Sequence, residues 1–148
     1  MPFPETEIPG RLQAQLASRG IRMTRQRRAI LSVIETANKH LNAMQILRKA
    51  RRLDDSVDRS TVYRTVELLK RHGMIDELDL MHMEGEQHYY ERKTGRDHIH
   101  MACLRCGKII EFESDIFESL KQQLERECRF SIVVARLEIG GYCAACRN

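Results

Sequence analysis

Two Cys-x-x-Cys pairs constrain the fold of this chain more than any other feature of its sequence. The first pair is Cys103 and Cys106, and the second, Cys143 and Cys146, follows after the 36 residues 107–142. A two-residue spacing lets both sulfurs of a pair reach one tetrahedral ion from a tight turn, and four thiolates describe a closed structural zinc site. The sequence thus predicts that one zinc ion ties the start of a C-terminal domain to its end. Four reduced core cysteines and a redox-active pair are the alternatives.

The bulk features of the chain point to a cytoplasmic protein. Hydrophobic residues make up 42% of its 148 residues, enough for a packed core without disulfides, and we expect the fifth cysteine, Cys128, in that core. The aliphatic runs fall far below the roughly 18 residues that cross a bilayer, and the first residues lack the basic-then-apolar order of a signal peptide. We therefore expect no membrane association.

Charge is distributed unevenly along the chain. Residues 11–74 contain 15 Lys or Arg and 5 Asp or Glu, a net of +10, whereas residues 75–148 contain 10 and 14, a net of −4. A basic half is attracted to a polyanion, which favours nucleic acid over an acidic small substrate. A solvated basic surface explains the same count equally well.

The first half of the chain has the helix order of a DNA-binding domain. All three prolines fall within residues 1–10, which we expect to form a flexible arm. Apolar residues at helical spacing then predict three helices. Thr24 is placed to cap the second helix and Asn42 the third, which we expect to run through Leu53.

A fourth predicted helix has the pattern of a recognition helix. It starts after the N-cap Asp58 and ends at Gly73. An apolar stripe of Val62, Val66 and Leu69 leaves four side chains facing outward: Ser60, Tyr63, Arg64 and Glu67. A tyrosine can contact a thymine methyl, and an arginine can donate two hydrogen bonds to guanine. We therefore expect Tyr63 and Arg64 at base edges. Ser60 and Thr61, near the helix start, are expected to hold phosphate. Packing of Tyr63 and solvation of Arg64 are the ordinary alternatives.

Two strands over residues 74–80 and 87–91, with a turn at Glu84, Gly85 and Glu86, complete the order of a winged helix. The expected fold is therefore α+β. A winged helix-turn-helix domain covers residues 11–91, a polar hinge residues 92–97, and a small α/β dimerisation domain residues 98–148.

The second domain is predicted to contain three strands and one helix. The strands cover residues 98–103, 108–112 and 131–139, and the amphipathic helix covers residues 115–127. The helix is expected to face the core with three side chains: Ile116, Leu120 and Leu124. Alternating apolar residues in the last strand fit an ordinary core, and they equally fit symmetric pairing in a homodimer: Val133, Ala135, Leu137 and Ile139.

A His-x-His pair precedes the first cysteine pair. On a strand, His98 and His100 point to one face and Cys103 to the other, so two separate metal sites are expected. An isolated pair of this kind is more often surface or core histidine. Carboxylates at Glu91 and Glu111 favour a ligand role, because imidazole with carboxylate suits Fe(II), Mn(II) or Zn(II) and allows reversible binding.

From about Leu12 onward the chain resembles the ferric uptake regulator family of metal-responsive transcription regulators. Three motifs agree in order and spacing: Thr24-Arg25-Gln26-Arg27, Ser60-Thr61-Val62-Tyr63-Arg64, and His98-Ile99-His100-Met101-Ala102-Cys103-Leu104-Arg105-Cys106-Gly107-Lys108. The resemblance implies a homodimer that binds a palindromic A·T-rich operator in double-stranded DNA. It also implies a set of regulatory metal ligands: His40, Glu91, His98, His100 and Glu111. Arg22 matches a family position whose basic residue enters the minor groove.

The chain also departs from the family pattern. A further metal site of some members would use positions that are filled here by Asp97, Ile99, Glu118 and Ala135. Two of these side chains cannot ligate a metal, so we expect that site to be absent.

Four positions of this chain bear on which branch of the family it resembles. Peroxide-sensing members place aspartates where Glu91 and Glu111 stand, and zinc-sensing members recruit a cysteine near the hinge, where this chain has Tyr89 and Tyr90. The resemblance thus implies Fe(II) sensing and repression of metal-uptake genes, with peroxide, zinc or manganese sensing as the alternatives. A zinc-dependent hydrolase built on His98, His100 and Glu91 is the rival from another class, although no catalytic motif supports it.

Overall fold

The computed structural model describes residues 10–37, 40–83, 85, 87–93 and 95–148. The chain forms two compact units, Met1–Leu78 with His88–Lys93 and Asp79–Gln87 with Thr94–Asn148. The expected arm, apart from Gly10, lies outside the described residues. Within the described ranges, no helix combines the length and apolarity that crossing a membrane requires.

Four helices and a three-stranded sheet make up the first unit. The helices are α1 (Arg11–Ser18), α2 (Arg25–Thr36), α3 (Ala43–Arg51) and α4 (Arg59–Arg71). The strands are β1 (Leu41–Asn42), β2 (Ile75–Leu78) and β3 (Tyr89–Arg92), paired antiparallel in the order β1-β3-β2. One hydrophobic core joins the helices, and its fully buried residues include Leu16, Ile30, Leu31, Ile46 and Leu69. This is the architecture of a winged helix-turn-helix.

The three predicted helix caps are confirmed. Thr24 Oγ1 accepts the Arg27 N–H at 3.1 Å, and Asp58 Oδ1 accepts the Thr61 N–H at 2.7 Å. Asn42 and Gln45 form a reciprocal capping box at the start of α3. The prediction that this helix runs through Leu53 is wrong, because α3 ends at Arg51.

The second unit is built on a three-stranded sheet of mixed direction. It contains β4 (Ile99–Cys103), β5 (Ile109–Phe112), α5 (Asp115–Cys128) and β6 (Leu137–Gly141). The strand order is β5-β4-β6, with β4 antiparallel to β5 and parallel to β6. The central strand therefore carries His100 and Cys103, and His98 directly precedes it. Cys103 is the first of the four paired cysteines, Cys103, Cys106, Cys143 and Cys146, which are called the cysteine tetrad below.

Three expectations for this unit are wrong. The last strand does not cover residues 131–139, because only Leu137 onward pairs with β4, and Val133 is 83% exposed. On α5 the buried residue is Phe117, whereas Ile116, Leu120 and Leu124 are exposed, with Ile116 at 81%. Cys128 is exposed at the end of the same helix rather than in the core. All three errors concern apolar side chains that find no cover within the single chain.

The segment after β2 also differs from the expected strand, which was to reach residue 80. The strand ends at Leu78, and Leu80, Met81 and His82 have φ values of 47°, 58° and 52°. The Leu80 N–H donates to Glu138 Oε1 on β6 at 2.7 Å, and a Cβ at Gly140 would lie 3.2 Å from Met81 Cγ. Contacts with β6 therefore hold this segment in the second unit. The expected turn lies partly outside the described residues, at positions 84 and 86.

Candidate metal centres and recognition helix

The four tetrad cysteines converge at one end of the second unit. Parallel pairing of Cys103 with Gly141 brings the end of β4 beside the end of β6, and the two Cys-x-x-Cys turns follow these ends. The sulfurs all lie within 4.8 Å of one another, and Cys106 Sγ is 3.8 Å from Cys143 Sγ. Tetrahedral zinc with bonds of about 2.3 Å places its sulfurs about 3.8 Å apart, so the donor set and its spacing fit zinc.

The pKa values of two tetrad cysteines are shifted in opposite directions. Hydrogen bonds from the backbone N–H groups of Cys143, Cys106 and Arg105 lower the pKa of Cys103 to about 6. The pKa of Cys146 is raised to about 12 by its hydrogen bond to Cys143, by burial and by the neighbouring thiols. Four thiolates this close repel one another, and a divalent cation among them removes that penalty.

In the first unit, a histidine and a carboxylate form a close pair. His40 directly precedes β1 and Glu91 lies on β3, and the pairing of these two strands brings the side chains together. His40 Nε2 lies 2.7 Å from Glu91 Oε2, and both side chains are mostly buried. One nitrogen and one oxygen ligand are thus held side by side.

In the second unit, two imidazoles face each other on the sheet. His98 Nε2 and His100 Nε2 are 3.0 Å apart, a separation suited to two ligands of one cation with metal–nitrogen bonds of about 2.1 Å. The same-face orientation that strand alternation predicted is therefore confirmed. Glu111 pairs with the buried His100 across β4 and β5. This set offers imidazole and carboxylate ligands of the kind that Fe(II), Mn(II) and Zn(II) share.

The recognition helix α4 presents the predicted faces. Val62, Val66 and Leu69 are buried, and three of the predicted DNA-contacting residues are exposed: Ser60, Tyr63 and Arg64. The Arg64 guanidinium lies 3.4 Å from the Ser60 and Thr61 hydroxyls, so it is loosely held and can turn to a base. Thr61 is half-buried, with its hydroxyl 3.5 Å from Gln26 Oε1, and offers less to phosphate than Ser60 does.

Several supporting residues escaped the sequence reasoning. Arg59 lies over the Tyr63 ring at 5.6 Å, and their i,i+4 spacing was a visible signal for this contact. Asp54 accepts hydrogen bonds from Ser56 and pairs with Arg25 at 3.1 Å, which links the start of α2 to the loop before α4. Arg22, by contrast, was implied by the family resemblance, and it is exposed directly ahead of α2, as a residue that enters a groove must be.

A winged helix with an exposed recognition helix, in one chain with a zinc-type cysteine tetrad and imidazole–carboxylate pairs, defines a metal-responsive, DNA-binding transcription regulator. Residues 18–140 match the family model described as the ferric uptake regulator family, and the chain belongs to this family. The α+β fold expected from the sequence is confirmed. The hydrolase alternative is wrong, because members of this family are transcription regulators and not enzymes.

Individual relatives match over nearly the whole chain. The ferric uptake regulation protein of Brucella suis biovar 1 (strain 1330) is 37% identical over 131 residues, 88% of this chain and 89% of the relative. A solved structure described as a zinc-bound manganese uptake regulator is 35% identical, with a TM-score of 0.64 over 89% of this chain and 98% of that one. The Helicobacter pylori regulator Fur, described as having three functional metal binding sites, is 25% identical, with a TM-score of 0.72 over 93% and 90%.

Proposed function

We propose that this regulator senses Fe(II) in the cytoplasm and, when loaded with metal, represses metal-uptake genes as a homodimer on a palindromic A·T-rich operator. The observation that supports this proposal is the presence of an imidazole–carboxylate set in each compact unit, His40 with Glu91 and the His98–His100 pair with Glu111. Such a set binds divalent first-row metals without the permanence of a tetrathiolate site, as a sensor requires.

The regulatory ligands are proposed to act together on one ion. The two units together contribute three imidazoles and two carboxylates to the proposed ligand set. Binding by ligands from both units would fix the angle between the units, and in a dimer that angle sets the separation of two recognition helices. Half-sites about one DNA turn apart, roughly 34 Å, require one such separation. A population shift from mostly open to mostly closed needs a preference of about 10⁴-fold, or about 5.5 kcal/mol.

The cysteine tetrad is proposed to hold a permanent zinc ion. Cys103, Cys106, Cys143 and Cys146 have the spacing of a closed tetrathiolate site, with no ligand position left for exchange. Its role is to join the end of β4 to the end of β6. The tetrad and the regulatory set are assigned different metals because their donors differ, thiolates in the one and imidazoles with carboxylates in the other.

Contact with DNA is proposed to centre on α4. Tyr63 and Arg64 would reach base edges in the major groove, and Ser60 with Thr61 would bind phosphate at the start of the helix. Arg59 keeps the Tyr63 ring in place from the preceding turn. Arg22 would enter the adjacent minor groove, as the family resemblance implies.

The homodimer is proposed to form through the second unit. Its surface carries a run of exposed apolar side chains on α5 and in the following segment: Ile116, Leu120, Leu124, Phe130, Val133 and Val134. A large exposed apolar patch favours burial against a partner, and a second copy of the chain offers the same patch by symmetry.

A DNA-shift assay without oxygen tests the switch. The zinc-loaded protein is mixed with an A·T-rich palindrome in chelator and then with Fe(II), Mn(II) or Zn(II) in turn. We expect binding only with added metal, and His98→Ala and His100→Ala are expected to weaken it by at least about tenfold. His88→Ala, a change at an exposed histidine outside the proposed ligand set, serves as the control and should leave binding unchanged. Equal affinity with chelator and with metal would refute the proposal, and the order of the three metals decides between iron, manganese and zinc sensing.

A further inference from the structure

Four carboxylates gather in the second unit around the start of α5, and two cations of the same chain contact them. The carboxylates are Asp97, Glu113, Asp115 and Glu118. Arg96 pairs with Asp115 and lies 3.8 Å from Glu113. Lys121 Nζ lies 2.6 Å from Asp97 Oδ2 and 2.8 Å from Glu118 Oε1. Each of the four acids thus has a positive group within ion-pair distance.

The Lys121 ammonium occupies a position suited to a metal ion. Glu118 is on the same helix, one turn earlier, whereas Asp97 comes from the chain just before β4, so the ammonium joins two separate elements. The lysine side chain is only 17% exposed, and its nitrogen lies 5.5 Å from the centre of the Phe117 ring. A positive charge largely out of water between two carboxylate oxygens supplies the attraction that a divalent cation would supply there.

We propose that Lys121 is a built-in cation that takes the place of a third divalent metal ion in this chain. The family resemblance implies that a further metal site of some members would use four positions of this chain, and two of them, Ile99 and Ala135, have no donor atom. The other two, Asp97 and Glu118, are the two acids that the ammonium bridges. The remaining two donors are therefore already neutralised by the ammonium.

This arrangement makes the contact between α5 and the chain before β4 independent of metal supply. Phe117 is the buried residue of α5, and the ion pair adds a second contact, which joins this helix to the chain before β4. An ammonium on the chain is always present, whereas a bound ion exchanges with the medium. Metal responsiveness is thereby confined to the histidine–carboxylate set and structural metal to the cysteine tetrad.

The test counts Mn(II) ions bound by the zinc-loaded, full-length protein. Removal of the ammonium in Lys121→Met leaves Asp97 and Glu118 close together without a cation, and we expect this variant to bind about one more Mn(II) per chain than the wild type at saturation. The extra ion should also raise the melting temperature of this variant more than that of the wild type. Lys121→Met combined with Glu118→Gln should lose the gain. Lys121→Arg and the exposed control Lys108→Met should retain the wild-type count.

Two results would overturn the proposal. One is a folded Lys121→Met protein that binds no additional Mn(II) and whose melting temperature responds to Mn(II) as the wild type does. The other is a wild-type chain that already binds a Mn(II) ion which Glu118→Gln removes. The second comparison needs only the wild type and one surface substitution, so it decides the matter even where Lys121→Met does not fold. Both outcomes are independent of DNA binding, which tests the regulatory function separately.

Discussion

Glu35 is a carboxylate inside the core of the first unit, and it supports the start of α1 from the neighbouring helix. Its two oxygens accept the N–H groups of Gly10, at 2.9 Å, and Leu12. Gly10 is the N-cap of α1 and has no side chain with which to bind the free amides at the helix start. Glu35 of α2 thus caps the start of α1, a role that the side chain of an N-cap serine or aspartate has in other helices.

Replacement of this carboxylate is expected to destabilise the first unit. Glu35→Ala leaves two amides at the start of α1 without an acceptor, and we expect the free energy of unfolding to fall by about 2 kcal/mol. Glu35→Gln keeps one acceptor oxygen and should cost less. Urea unfolding followed by circular dichroism measures both. Gln122→Ala, an exposed change on α5 opposite its apolar face, should stay within about 0.5 kcal/mol of the wild type. A Glu35→Ala protein as stable as this control would mean that the amides find other acceptors.

The recognition helix α4 offers a direct test of base recognition. Arg64→Ala removes a guanidinium whose hydrogen bonds to the Ser60 and Thr61 hydroxyls are long, so its loss should not disturb the helix. We expect affinity for the operator to fall by about 1–3 kcal/mol, with a smaller loss on a scrambled duplex, because base contacts carry sequence preference. Fluorescence anisotropy on both duplexes measures this.

A matched control for the recognition helix lies on α5. Arg126→Ala removes the same charge from an exposed helical position in the other unit and should leave both affinities nearly unchanged. An equal loss on the operator and the scrambled duplex for Arg64→Ala would assign this side chain to phosphate instead of a base edge.

The elements that sequence reasoning located correctly are those that local interactions determine. Thr24, Asn42 and Asp58 cap helices through atoms only three residues away, so their patterns were readable. β1 was missed because a two-residue strand exists only through its partner β3. The turn at residues 80–82 and the start of β6 likewise depend on Glu138, Gly140 and β4, which lie far away along the chain.

The same difference between local and long-range interactions explains which site residues were predictable. The cysteine tetrad was predictable because its two-residue spacing encodes a turn, and the His98–His100 pair because strands alternate. The closeness of His40 to Glu91 depends on strand pairing across almost fifty residues, so only the family resemblance pointed to it. The bridge from Lys121 to Asp97 had no signal in the sequence, because a lysine three residues after a glutamate is common on any helix.

For the whole molecule, the wrongly placed apolar face of α5 becomes informative. Helical periodicity identified Ile116, Leu120 and Leu124 as one face, and this grouping stands, yet the face is exposed in the single chain. Val133 and Val134 are exposed as well, in a segment that was predicted as a strand. Apolar periodicity in a sequence indicates that a face will be buried. It does not indicate whether the residues that cover this face belong to the same chain or to a second copy.

Disruption of this face is therefore expected to separate a dimer without unfolding the chain. Ile116 is 81% exposed, so Ile116→Glu adds a charge at no packing cost within one chain, whereas at a symmetric interface it places two desolvated charges in apolar surroundings. Sedimentation velocity should show a dimer for the wild type and a monomer for Ile116→Glu, with unchanged circular dichroism. Gln122→Glu adds the same charge on the opposite side of α5 and should remain dimeric. A monomer also holds one recognition helix instead of two, so its affinity for the palindrome should fall to that for a single half-site. A wild-type chain that sediments as a monomer at every concentration would remove the second copy as the partner of this face.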